Sequence, residues 1–71
     1  MTMINTGYIT RKGEEVLINN YPDGYKVVLV RDGKGKMRKA EGAKSHSTME
    51  QCMRFVNYRT LKGDFILKED R

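Results

Sequence analysis

The chain has no tryptophan, one proline, one cysteine and one histidine. A single cysteine, Cys52, cannot close an internal disulfide, so the scaffold is not one of the cystine-stapled secreted kind. With His46 as the only histidine, a structural zinc site is not expected either, because such sites draw four ligands mostly from Cys and His. No metal and no other cofactor is expected. The longest apolar run is Val27-Val28-Leu29-Val30, four residues, against the roughly 20 that a membrane span requires. The opening MTMINTGYIT carries neither the positive end nor the apolar middle of a secretory leader. Together with the lone thiol, this leads us to expect a cytoplasmic protein with no membrane association.

What is present suits one small domain covering residues 1–71. A chain of this length buries only about 60% of the surface its unfolded form exposes, and a core of that size supplies about 3–5 kcal/mol without a staple. Hydrophobic residues make up 38% and charged residues 32%. That is polar for a globule, but the apolar residues recur at element spacings, which disordered chains lack.

Turn signals cut the first half into short pieces. Lys12-Gly13 separates residues 7–11 from residues 14–18. Asn20-Tyr21-Pro22-Asp23-Gly24 is a hairpin signal: Pro22 presets φ for a type I turn, Asp23 suits the position after it, and Gly24 supplies the positive φ of a bulge. The run Tyr25–Arg31 is rich in β-branched residues and apolar on both alternating sets, as a central strand is. Asp32-Gly33-Lys34-Gly35 is another reversal, and residues 36–41 form a charged edge strand. Which alternating set of the central strand faces the core, Val28 and Val30 or Val27 and Leu29, depends on register.

A helix is predicted over residues 48–60. Ser47 and Glu50 stand at capping-box spacing. Met49, Cys52, Met53 and Val56 follow at i, i+3, i+4 and i+7. Basic residues gather at the end favoured by the helix dipole, and Gly63 terminates it. Residues 64–68 form a last strand. The expected architecture is α+β: a mainly antiparallel sheet of four to five short strands in the order β-β-β-β-α-β, with one helix on one face. The expected core is Ile9, Val16, Ile18, Val28, Val30, Met49, Cys52, Met53, Val56, Phe65 and Leu67.

Catalytic chemistry finds little support. Cys52 lies on the buried stripe, whereas a reactive thiol needs partial exposure in an electropositive setting. His46 stands beside Ser45, Ser47 and Thr48, but adjacency is not a triad without a buried orienting acid. Glu14 and Glu15 are neighbours on a strand and point to opposite faces. Gly33-Lys34-Gly35-Lys36 lacks the spacing and the following helix of a phosphate-binding P-loop. No enzyme activity is expected.

The remaining feature is RDGKGKMRKAEGAK, residues 31–44. It holds six of the 14 Lys and Arg residues against two acids, a net +4 of the chain's formal +5. Such charge density attracts polyanions, and each neutralised phosphate releases counterions. The expected function is binding of nucleic-acid backbone, DNA or RNA, by Arg31, Lys34, Lys36, Arg38, Lys39 and Lys44, extended by Arg54 and Arg59 if the outer helix face lies beside the hairpin. An exposed Tyr8 or Tyr25 on a sheet face would stack single-stranded bases. A lysine-rich edge also serves solubility alone, by discouraging strand addition. The alternative function is a protein-interaction module, a small inhibitor or adaptor of the phage-encoded kind, docking on a larger host assembly. Tyr8, Tyr21, Phe55, Tyr58 and Leu61 would be its anchors, and the last strand could add to a partner's sheet. An acidic protein face is the corresponding ligand for the cations.

Overall fold

The computed structural model describes residues 2–70. Five strands, β1 (Thr2–Thr10), β2 (Glu15–Asn20), β3 (Lys26–Arg31), β4 (Met37–Lys39) and β5 (Phe65–Leu67), form one antiparallel sheet in the order β4-β3-β2-β1-β5. The helix α1 (Met49–Leu61) connects β4 to β5. The first four strands are a meander, and the helix carries the chain back across one face to the opposite edge. A 3₁₀ turn, Lys68–Asp70, follows β5. The expected α+β architecture and element order are those observed.

Three turns of one design set the register. The amides of Gly13, Gly24 and Gly35 donate to the carbonyls of Thr10, Tyr21 and Asp32, at 2.9, 3.0 and 3.0 Å. Each amide belongs to a glycine of positive φ. In the third turn Asp32 Oδ1 also accepts the amides of Lys34 and Lys36, at 2.8 and 3.0 Å. A side chain thereby satisfies donors that the loop leaves over. The register that follows pairs Val16 with Val30 and Ile18 with Val28, and on the other face Leu17 with Leu29 and Leu29 with Lys39.

β1 is irregular. Asn5 faces Leu17 and Ile9 faces Glu15, so four steps along β1 match two along β2. Gly7 at φ 82 absorbs the surplus. Thr6 Oγ1 donates to the Val16 carbonyl at 2.7 Å and accepts the Tyr8 amide at 3.2 Å. β5 pairs only with Tyr8, Ile9 and Thr10, beyond this kink.

The helix settles which alternating set forms the core. Cys52 and Val56 pack with Val16, Ile18, Val28, Val30, Ala40 and Phe65. Met49, Met53 and Phe55 are half-buried against that cluster. Two expected core members sit elsewhere. Ile9 is buried but shares the opposite face with Glu15 and Ile66. Leu67 is 40% exposed, because the short edge strand has no neighbour on its outer side.

The helix begins one residue later than predicted. Thr48, not Ser47, is the N-cap: its Oγ1 accepts the Gln51 amide at 3.2 Å. Gln51 Oε1 accepts the amides of Thr48 and Ser47 in return. A Thr-x-x-Gln box thus outcompetes Ser47–Glu50, and Glu50 instead pairs with Arg54 one turn on. Leu61 is the last helical residue rather than lying past the end, and it is 88% exposed.

Candidate nucleic-acid interface

Residues 31–44 form the end of β3, the third turn, β4 and the loop beyond it. Because β4 is an edge strand, its cations have room to reach outward. Their surroundings divide them by residue type. All four ion pairs among the described residues are made by arginines: Arg31 with Glu15, Arg38 with Glu14, Arg54 with Glu50, and Arg59 with Asp64. The planar five-donor guanidinium matches a carboxylate in two directions at once, which the compact ammonium of lysine cannot do. Arg31 Nε also reaches Glu15 Oε2 at 3.1 Å, directly across β2–β3.

Arg38 stands on the helix side of the sheet, opposite Val30, and holds Glu14 through both guanidinium nitrogens, the second at 3.0 Å. That hydrogen bond keeps the Glu14 carboxyl below its ordinary value and raises Arg38 above its own. Arg59 turns inward from the helix. It donates to Asp64 Oδ2 at 2.9 Å and to the Glu41 carbonyl, and its guanidinium lies 5.4 Å from the centre of the Phe55 ring. A Cβ on Gly42 would stand 2.6 Å from an Arg59 nitrogen, so the glycine there makes room for the arginine. Arg11 closes the same end of the molecule by donating to the Gly63 carbonyl at 2.7 Å. Arg11, Arg38 and Arg59 border a cleft of about 490 Å³ with Lys12, Glu14 and Phe65, in which Arg38 and Arg59 are already matched to Glu14 and Asp64.

The lysines differ. Lys34, Lys36, Lys39 and Lys44 are exposed and make no ion pair with any described residue. They follow the outer edge of the sheet: Lys34 and Lys36 at the turn, Lys39 within β4, Lys44 in the loop after it. Lys39 lies on the face opposite the helix, across from Leu29. There it borders a second groove, also about 490 Å³, with Tyr21, Asp23, Tyr25, Val27 and Ser45. Tyr25 is 52% exposed, and its amide donates to Asp23 Oδ1 at 3.0 Å. Tyr8, by contrast, is half-buried against the helix-side core.

Among the described residues, Lys34, Lys36, Lys39 and Lys44 are thus exposed without an ion pair, whereas Arg31, Arg38, Arg54 and Arg59 each hold a carboxylate. Asp23 and Ser45 were missed as groove residues by sequence reasoning. The signal for them lay in the turn: counting back from Tyr21–Tyr25 places Val27 beside Asn19 and turns the tyrosines toward the Lys39 side. Of the proposed protein anchors, Tyr58 and Leu61 stand exposed on the outer helix face, with Lys62 Nζ 4.9 Å from the Tyr58 ring centre. Phe55 packs edge-on against Phe65 at 6.4 Å, and Tyr21 is half-buried.

The residues that invited a catalytic reading are placed as follows. Cys52 is fully buried, and desolvation pushes its thiol up. His46 forms an antiparallel bridge with Lys26, its amide donating to the Lys26 carbonyl at 2.8 Å. Its Nε2 is shut away from solvent with no hydrogen-bond partner among the described residues. No group of three His, Cys, Asp or Glu among those residues is placed to hold a metal ion. No described helix is long and apolar enough to cross a membrane. Comparison of the chain with protein-family models, with curated proteins and with solved structures returned no match.

Proposed function

We propose that this chain is a non-catalytic binding protein that holds nucleic-acid backbone along its β4 edge. Lys34, Lys36, Lys39 and Lys44 carry the phosphate contacts. Arg31, Arg38, Arg54 and Arg59 are assigned to the fold, because each already has a carboxylate. The observation that carries this reading is that four exposed ammonium groups on and beside the β4 edge have no ion pair among the described residues. Arginine pairing leaves the surplus of the formal +5 on other side chains, lysines above all. Unpaired ammonium groups gain most from a polyanion, since no internal partner has to be given up.

Phosphate contacts position a ligand and do not read its sequence. The proposal therefore concerns backbone, and its signature is salt dependence. Four contacts on duplex DNA give a slope of about −3.6, so binding weakens by roughly 100-fold between about 50 and 200 mM salt. Fluorescence anisotropy of labelled oligonucleotides measures this. Changing Lys36 and Lys39 to Ala together is expected to reduce the slope by about two. Absence of binding at the lower salt rejects the proposal.

A second reading, docking on a protein, is supported by a different observation: Tyr58 and the almost wholly exposed Leu61 lie three residues apart on the outer helix face, flanked by Arg54 and Lys62. Retention of one stoichiometric protein from nuclease-treated lysate, lost on Leu61→Lys and kept on the lysine double substitution, would favour that reading over the first.

A further inference from the structure

We propose that the groove between Tyr21 and Tyr25 receives an unpaired base, so that the ligand is a single strand rather than a duplex. This rests on the backbone reading above and names the form of nucleic acid that it takes.

The two tyrosines flank the second turn, and three hydrogen bonds hold their backbone before any ligand arrives. The Tyr21 amide donates to the Tyr25 carbonyl at 2.9 Å, the Gly24 amide to the Tyr21 carbonyl at 3.0 Å, and the Tyr25 amide to Asp23 Oδ1 at 3.0 Å. A site ordered in advance loses little freedom on binding. Tyr25 offers about half its surface to solvent, and no described ring or cation packs against it. Val27, buried in β3, adds an apolar contact. Aromatic faces with an apolar floor are what an unstacked base replaces its neighbours with.

The polar groups are sorted by charge. Lys39 borders the groove, and Lys44 neighbours the bordering Ser45. Asp23 uses one oxygen on the Tyr25 amide, and its other oxygen accepts no hydrogen bond from any described residue. A carboxylate repels phosphate but accepts from the N–H groups on a base edge. The backbone therefore runs on the lysine side, with the base turned toward Asp23 and the tyrosines. A duplex keeps its bases stacked and cannot present one in this way.

Three probes of about ten nucleotides test this: a labelled cytosine strand, an abasic deoxyribose-phosphate strand of equal length, and the corresponding duplex. The expected result at about 50 mM salt is that the cytosine strand binds at least about tenfold more tightly than the abasic strand. Tyr25→Ala is expected to remove that ratio and Tyr25→Phe to keep it. Lys39→Ala should weaken the cytosine and abasic strands alike. Equal, salt-sensitive binding of the cytosine and abasic strands would overturn the base site and leave the backbone reading standing. Tighter binding of the duplex would do the same. Failure of all three probes to bind would remove the backbone reading, and the base site with it. The ratio is read on the unmodified protein, so it does not depend on the folding of any variant.

Discussion

Both faces of the sheet carry buried apolar residues and use them differently. Under the helix, Val16, Ile18, Val28 and Val30 meet Cys52 and Val56. On the other face Leu17, Val27 and Leu29 are also buried, Leu17 to 1% exposure, yet the helix is not there. Cross-strand neighbours shield them: Asn5 and Lys39 flank the Leu17–Leu29 row, and the Arg31–Glu15 pair lies beside it. Long side chains cover apolar surface with their stems while their charged ends stay in water. A helix makes a sealed core, whereas a fringe of side chains makes one that a ligand can open. Charge divides by residue type rather than by face: Arg38 and Arg59 on the helix side and Arg31 on the other each hold a carboxylate, while Lys39 has no ion pair among the described residues.

The sharpest way to break this comparison is to shorten matched valines. Val28→Ala on the helix side should cost about 2 kcal/mol and Val27→Ala on the other side about 1 kcal/mol, since only the first leaves a cavity that solvent cannot fill. Urea denaturation measures both, and equal losses would mean that the faces are one kind of core. Next in size, Arg59→Ala should destabilise by about 1.5 kcal/mol, with lysine restoring little because it cannot serve Asp64 and the Glu41 carbonyl together. A smaller effect depends on pH. The Glu14 carboxyl titrates below its ordinary value of 4.5. Its contribution is therefore complete above that value and is lost as pH falls through the lowered one. Glu14→Gln should flatten the acid limb of the stability profile. Smallest of all, Lys36→Ala and Lys39→Ala should leave the urea midpoint nearly unchanged, even as binding weakens. A large stability loss there would show that the lysines belong to the fold as the arginines do.

Much of this was legible in the chain. Pro22-Asp23-Gly24 and Asp32-Gly33-Lys34-Gly35 announce their hairpins, while the register that puts Glu15 opposite Arg31 and Lys39 opposite Leu29 appears only in the structure. The apolar spacing from Met49 to Val56 announces the helix. Other features were less legible. The cap moved from Ser47 to Thr48 because the two candidate boxes differ by one residue, and the choice turns on where Gln51 can reach. The insertion around Gly7 has no sequence mark that separates it from an ordinary strand glycine. The Arg38–Glu14 pair joins β4 to the segment just before β2, which only the folded sheet brings side by side.

The sequence by itself determined the local elements, their order and the excess of positive charge, because turn chemistry, side-chain periodicity and residue counts act over a few positions. Only the tertiary structure decided where that charge is satisfied. The helix chose one of two apolar faces and brought Arg59 to Asp64 and the Glu41 carbonyl, the sheet brought Arg38 to Glu14, and Lys34, Lys36, Lys39 and Lys44 stand along the β4 edge with no ion pair among the described residues. That choice rests on contacts between residues far apart in the chain, such as Val56 with Val28, whose geometry no local pattern encodes.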